Sequence, residues 1–305
     1  MTIAELQKEF LTSAGKRIAP EDFSILLAHT LQREKVFLFT HPEYVLGKEE
    51  ESRARAFFSR REQREPVALI IGHKEFYGRD FAVTPDTLIP RPETELIVEH
   101  ALQTISDLSS DARSISFIDI GTGSGCIAIS VAATLAEKNP LLFSDVRFFA
   151  TDISLPALSI AKSNAALYQV SPRITFLAGN LLAPYIPYKT EEAALVIITA
   201  NLPYLAQDLY DAAPEDVRAF EPRSALVSEK AGLNHYYRLL QSLTDIFTET
   251  QSLILFLEIS PEQSAPLQHY TLALFPHALV HSHNDLAGKE RIVEIRLPAS
   301  SSRTL

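Results

Sequence analysis

From about residue 94 onward the chain alternates apolar, β-branched runs with stretches of helical period, and this alternation is its strongest constraint on fold. SISFIDI at 114–120 is a run of the kind that forms a strand buried on both faces. GCIAISVAATLAEK follows with helical spacing, and then VRFFATDI, the helical LPALSIAKSNAALY, ITFLAGN and ALVIITANLPY. A helix near 232–248, SLILFLEI, a helix near 262–274, PHALVHSH and RIVEIRL complete the series. These runs predict an open, mostly parallel seven-stranded sheet with helices on both faces, an α/β fold. NDLAGKE, between the last two strands, is too short for a helical crossover, so those strands are predicted to form an antiparallel hairpin.

The N-terminal part reads differently. Apolar residues recur at Ile3, Leu6, Phe10 and Leu11, then at Phe23, Leu26, Leu27 and Leu31, near the 3.6-residue period. This predicts a small helical domain over 1–64. Residues 65–93, EPVALIIGHKEFYGRDFAVTPDTLIPRPE, break into short apolar runs split by Gly72, Gly78 and prolines, which reads as a β-hairpin linker. A catalytic domain is expected over 94–298 and a frayed tail, PASSSRTL, at the end, with residues 299–305 outside the domain.

Composition narrows the function. No window approaches 18 uninterrupted apolar residues, and MTIAELQKEF lacks the basic and apolar regions of a secretory signal, so no membrane partner is expected. The single cysteine, Cys126, excludes an internal disulfide and a cysteine-based zinc centre; no metal site is read, and the setting expected is cytoplasmic. The net charge is −10, whereas a protein that tracks a nucleic-acid backbone carries a basic surplus. RARAFFSRREQR at 53–64 is the one basic run and reads as the solvated face of a helix, so no direct nucleic-acid substrate is expected.

Gly121, Gly123 and Gly125 lie between a predicted buried strand and the helix after it. Glycines there permit a tight turn and close approach of a ligand to the backbone, and the helix N-terminus offers free amides. A P-loop ends in Gly-Lys-Ser or Gly-Lys-Thr, but this loop ends in Gly125-Cys126-Ile127. A dinucleotide fingerprint needs a third glycine where Cys126 stands. What remains is Asp119-x-Gly-x-Gly-x-Gly, which resembles motif I of class I S-adenosylmethionine-dependent methyltransferases. In that fold a mostly parallel seven-stranded sheet ends in an antiparallel hairpin. The resemblance implies cofactor contacts from Gly121, Thr122, Gly123, Ser124 and Gly125. Asp152, at the end of the second strand, can accept two ribose hydroxyl hydrogen bonds. Asn180, at the end of the third, stands where many of these enzymes have Asp; its oxygen can still accept from the adenine amino group, and Leu181 would wall the base.

The fourth strand runs into Asn201-Leu202-Pro203-Tyr204. Asn-x-Pro-Tyr resembles the acceptor motif of methyltransferases that act on a planar nitrogen. An amide nitrogen is a weak nucleophile because its lone pair is delocalised, so a site must hold its N–H bonds on acceptors and aim it. The Asn201 oxygen, which the resemblance also places near the cofactor, and the Leu202 carbonyl can accept those bonds. Tyr204 offers a ring face and Pro203 fixes the backbone. Positioning rather than a strong base would supply most of the rate.

GHKEFYGRDF at 72–81, LIPRPETE at 88–95, FEPRSAL at 220–226, LEIS with Gln263 shortly after, and DLAGKER at 285–291 complete a resemblance over nearly the whole chain. The chain resembles the bacterial protein-(glutamine-N5) methyltransferases that modify peptide chain release factors, the PrmC/HemK family. That resemblance implies S-adenosylmethionine as cofactor, S-adenosylhomocysteine as product, and as substrate the glutamine of a Gly-Gly-Gln loop on a release factor, gripped in part by the helical domain. It also brings residues 91–94 near the cleft, although Arg91 and Glu93 could equally form a structural ion pair. Three positions depart from the family pattern: Leu202 stands for a proline, Asn180 for an Asp (with Leu181 where an aromatic can follow), and Ser260 for a glycine. Asn-Leu-Pro-Tyr is also carried by ribosomal RNA adenine N6-methyltransferases. Against them stand the Thr-Gly-Ser-Gly loop, the PRPETE linker and the acidic charge. A glutamine methyltransferase of a ribosomal protein is a nearer rival, disfavoured by the same linker and loop; a non-catalytic binding module is disfavoured by the intact tetrapeptide.

Overall fold

The computed structural model describes residues 1–12, 18–108, 114–189, 195–247 and 251–299. Two compact units emerge, one of residues 1–73 with 213–220, the other of residues 74–212 with 221–305.

The first unit holds α1 (Ile3–Thr12), α2 (Pro20–Leu31), α3 (Lys35–Thr40), α4 (Lys48–Glu62) and α5 (Val67–Ile71). Leu6, Leu26, Leu27, Ala54 and Phe58 are wholly buried, and the Phe58 ring lies 4.6 Å from that of Phe10 and 4.9 Å from that of Phe23. The basic run of α4 is consumed internally. Arg55 pairs with Glu9 at 2.7 Å, Arg61 with Asp22 at 2.7 Å and Arg60 with Glu65 at 2.6 Å.

The helical region extends beyond the boundary expected at residue 64. VALII, expected to be part of a hairpin linker, is α5, with Ile70 in the helical core. Apolar periodicity cannot separate a five-residue helix from a strand. Gly72 decides it by taking the left-handed conformation at φ 82° and closing the helix, its amide donating to Ala68. The hairpin itself is shorter than the 65–93 linker: β1 (His73–Phe76) and β2 (Arg79–Ala82), turned at Tyr77 and Gly78, both of positive φ.

The second unit continues with α6 (Glu95–Leu108), β3 (Ile115–Ile120), α7 (Cys126–Lys138), α8 (Pro140–Asp145), β4 (Val146–Asp152), α9 (Leu155–Leu167), β5 (Ile174–Ala178) and β6 (Leu195–Ala200). Two short helices follow, α10 (Gln207–Ala212) and, grouped with the first unit, α11 (Glu215–Phe220). The order then runs α12 (Asn234–Ile246), β7 (Ser252–Glu258), α13 (Ser264–Leu274), β8 (Leu279–Asn284) and β9 (Glu290–Leu297). Residues 300–305 of the expected tail lie outside the described residues.

The seven-stranded sheet has the order β5-β4-β3-β6-β7-β9-β8, parallel from β5 to β7, with β9 antiparallel to both its neighbours. The mostly parallel sheet and its terminal antiparallel hairpin are as the strand–helix alternation predicted, and the whole is the class I methyltransferase fold that the resemblance implied, preceded in the chain by a small helical domain. Successive strand residues serve opposite faces. Leu195 and Ile197 join α6 and α7 in one apolar layer, while Val196 and Ile198 join α12 and α13 in the other. Among the described residues no helix is long and apolar enough to cross a membrane.

Candidate active site

The parallel register brings four strand ends level. Ile120 of β3 pairs with Thr151 of β4 and Ala200 of β6, and Asp152 pairs with Ala178 of β5. The chain order reverses direction between β3 and β6, and a doubly wound sheet opens a crevice beyond its carboxyl ends at such a point. A cleft lies there, lined by residues 120–124, 151–154, 179–181 and 201–203, with Arg91, Thr94 and His235.

Gly121, Gly123 and Gly125 all take positive φ, 69°, 56° and 83°, in the region where only glycine is unstrained. A Cβ on Gly121 would meet Leu202 at 2.9 Å, so the glycine loop and the 201–204 turn are packed against each other. Gly125 does not line the cleft; it starts α7, and a Cβ there would meet Ile129 at 2.6 Å and Ala161 at 3.2 Å. The loop is held from below by Asp119, which is wholly buried. Thr122 donates to its Oδ2 at 2.6 Å and Thr199 to its Oδ1 at 2.9 Å, tying the loop to β6. Burial pushes the Asp119 carboxyl up to about 6, against the pull of those hydroxyls.

Asp152 uses both oxygens on backbone. Gly123 N–H donates to Oδ2 at 2.8 Å and Ser154 N–H to Oδ1 at 2.9 Å. Each oxygen keeps a lone pair for another donor. Burial raises its pKa, opposed by those amide bonds. Asn180 is exposed at the rim of the cleft. Leu181 takes φ 51°, rare for a branched side chain, and the Thr151 hydroxyl holds its carbonyl at 3.0 Å.

Asn201 donates its Nδ2 to the Thr94 hydroxyl at 3.0 Å, which commits the nitrogen and leaves Oδ1 to accept. Leu202 is buried, and its N–H donates to the Tyr236 hydroxyl at 3.3 Å; that hydroxyl in turn donates to the carbonyl of Glu258. Pro203 lines the cleft. Tyr204, expected to offer a ring face there, is not in the cleft lining: its hydroxyl donates to Glu258 Oε1 at 3.2 Å, and burial, then Glu258, raise its pKa. Gln263 holds the Tyr204 carbonyl at 2.7 Å.

Arg91 does not pair with Glu93. Its partner is Glu221, whose side chain is buried and also accepts from the Ile89 N–H at 3.0 Å. LIPRPETE and FEPRSAL thus meet in one ion pair beside the cleft. The sequence pointed to Glu93, two residues away, and folding instead brings Glu221 from 130 positions along the chain. Thr94 was foreshadowed by its place in LIPRPETE; no pattern marked Tyr236 or His235.

The architecture has known counterparts. Residues 5–72 match the PrmC N-terminal domain model, and residues 96–228 match a model described as ribosomal protein L11 methyltransferase. A release factor glutamine methyltransferase of Rhodopirellula baltica is 34% identical, over 97% of this chain and 95% of the relative. That of Bacillus subtilis is 32% identical over 93% of each chain. The chain belongs to the release factor glutamine methyltransferase family. It is therefore a methyltransferase, and the fold of this family implies S-adenosylmethionine as methyl donor. Solved structures share that fold: the catalytic domain of hMettl16 in complex with a MAT2A 3'UTR hairpin superposes with a TM-score of 0.55 at 18% identity, covering 94% of both chains. The N-terminal domain of human METTL16 gives 0.51 at 18% identity, covering 94% of this chain and 97% of that one. Leu202, second residue of the Asn-Leu-Pro-Tyr turn, is buried with its side chain against the glycine loop.

Proposed function

We propose that the enzyme transfers a methyl group from S-adenosylmethionine to the side-chain amide nitrogen of the glutamine in the Gly-Gly-Gln loop of peptide chain release factors. The observation that carries this reading is the Asn201–Thr94 hydrogen bond, which presents a fixed amide oxygen beside a glycine-lined cleft. The kinship with release factor glutamine methyltransferases supports the choice of substrate.

The residues present fit the cofactor. Residues 121–124 form a side-chain-poor cradle for its amino-acid end, with Gly125 setting the start of α7. The free lone pairs of Asp152 would suit the ribose hydroxyls, and Asn180 and Leu181 would flank the base. The cofactor supplies a methyl group on a positively charged sulfur.

The chain's own residues do the rest by positioning. Asn201 Oδ1 and the Leu202 carbonyl accept the two N–H bonds of the substrate amide and favour positive charge as it builds on nitrogen; the S–CH3 bond would break as the N–CH3 bond forms, S-adenosylhomocysteine would leave, and the nitrogen would lose one proton to water. Pro203 fixes the turn and Gln263 anchors it through the Tyr204 carbonyl. Tyr204 contributes through its hydrogen bond to Glu258 and so supports the turn from behind.

Labelled S-adenosylmethionine, offered with a release factor and separately with ribosomal RNA, tests the reading. Label is expected on the release factor, at the glutamine. Label on the RNA alone overturns it.

A further inference from the structure

Glu258 is a carboxylate in an unusual place. It ends β7, only 2% of it is exposed, and its Oε1 accepts one hydrogen bond, from Tyr204. Among the described residues its Oε2 is buried with no hydrogen-bond partner. A buried carboxylate oxygen without a donor costs free energy, so its presence calls for a role.

The missing donor lies next to it. Thr94 accepts from Asn201 Nδ2 and therefore keeps its own hydroxyl proton to give. The Thr94 hydroxyl lies close enough to favour the charged form of Glu258, although it falls short of a hydrogen bond. Turning that hydroxyl toward Oε2 would complete the chain Asn201, Thr94, Glu258. Both ends of the 201–204 turn then rest on one carboxylate, Asn201 through Thr94 and Tyr204 directly.

We propose that Glu258 is a positioning residue for methyl transfer, acting through Thr94 to orient Asn201 and strengthen its Oδ1 as an acceptor. The inference rests on the reading that Asn201 receives the substrate amide. Hydrogen bonds in series polarise one another, so an ionised Glu258 draws the Thr94 proton, Thr94 draws on the Asn201 amide, and electron density rises on Oδ1. A protonated Glu258 reverses the first bond, because its O–H then donates to Thr94.

The groups around Glu258 set where that change falls. Burial pushes the carboxyl up to about 7, and Glu93 pushes in the same direction; Thr94, Tyr204 and Arg291 pull it down. Tyr236 and Cys126 also feel its charge, and both have their own pKa raised chiefly by burial. Methyl transfer is therefore expected to rise as pH passes through about 7.

The test uses the full-length enzyme with a release factor as substrate. Glu258→Gln keeps the shape and removes the charge. Thr94→Val keeps the volume and removes the relay, and Thr94→Ser restores the hydroxyl. For Glu258→Gln and Thr94→Val, kcat is expected to fall roughly tenfold or more, with S-adenosylhomocysteine affinity by calorimetry within about twofold of the parent, a loss of transition-state stabilisation alone. Thr94→Ser should recover most of the rate, and Glu258→Gln should lose the rise in activity near neutral pH. Asn201→Ala, run alongside, separates the two ideas. If Asn201→Ala is inactive while Glu258→Gln and Thr94→Val keep the parental kcat and pH profile, the role of Glu258 is overturned and the acceptor site stands. If Asn201→Ala remains active, the acceptor site itself is overturned, and this role with it.

Discussion

Gln263 donates its side-chain amide to the main-chain carbonyl of Tyr204 at 2.7 Å and, from the same nitrogen, to the carbonyl of Ala231 at 2.8 Å. Its oxygen accepts from the Ser260 N–H at 3.0 Å, so one buried side chain joins three turns beyond the sheet. The 201–204 turn is thus held by a residue about sixty positions away in the chain.

Gln263→Ala removes the partner of two carbonyls and an amide. Leaving buried polar groups unsatisfied costs about 1–3 kcal/mol each, so a loss of roughly 2 kcal/mol or more is expected in urea denaturation. Activity should fall further than stability, because the Tyr204 carbonyl is freed. An unchanged denaturation midpoint would argue that Gln263 is idle.

Gly232 sits against the same carbonyl, and a Cβ there would meet the Tyr204 oxygen at 1.9 Å and Gln263 Nε2 at 2.2 Å. Gly288 has a similar φ, 76° against 83°, but open space around it. Gly288→Ala should cost only the left-handed strain, about 1 kcal/mol. Gly232→Ala should cost about 2 kcal/mol more and suppress methyl transfer, because the turn must move. Equal melting shifts for the two variants would contradict the packing described.

Arg91 and Glu221 form a pair in which the acid is buried and the base partly exposed. Arg91→Ala leaves the Glu221 carboxylate with the Ile89 amide as its remaining described donor. A destabilisation of about 2–3 kcal/mol is expected, below the range for fully buried pairs because water reaches Arg91. The double variant Arg91→Ala/Glu221→Gln should be more stable than the sum of the singles by about 1 kcal/mol or more. Strict additivity in chemical denaturation would show that the pair carries no coupling.

Stability should depend on pH through three buried acids. Burial raises Asp119 to about 6 and Glu258 to about 7. A carboxyl with a folded pKa above its unfolded one favours folding in acid; that contribution is complete below the unfolded value, about 4, and is lost as pH rises through the folded value. Glu294 has the opposite sign. Burial alone would raise it, but hydrogen bonds from His283 and Arg296 bring it to about 2, so its contribution is present above 4.5 and lost as pH falls through 2. The denaturation midpoint should therefore be higher at about pH 5 than at about pH 8, and Asp119→Asn with Glu258→Gln should flatten that slope. A slope that survives in both variants would assign it to other groups.

Much of the molecule was legible in its residues because the signals were local. The apolar, branched runs of β3 and β6 announced strands covered on both faces, as the burial of all six residues in each bears out, and the short NDLAGKE link permits only an antiparallel pairing. Glycines 121, 123 and 125 mark a turn because only glycine takes their positive φ without strain. The misread segment was VALII, where five residues are too few for periodicity to speak and a single left-handed glycine ended a helix. The partner of Arg91 and the anchorage of Tyr204 were equally illegible, since each depends on residues far away in the chain.

By itself the sequence determined the class of the sheet, the place of the glycine loop and the chemistry offered by Asn201, because strand period, turn propensity and functional groups are written residue by residue. Only the tertiary structure decided that the Asn201 nitrogen is spent on Thr94, that Tyr204 faces Glu258 and that Asp119 braces the loop from the core. Hydrogen-bond partners across a fold are chosen by strand register and helix packing, and no spacing along the chain encodes which of several suitable groups will arrive within 3 Å.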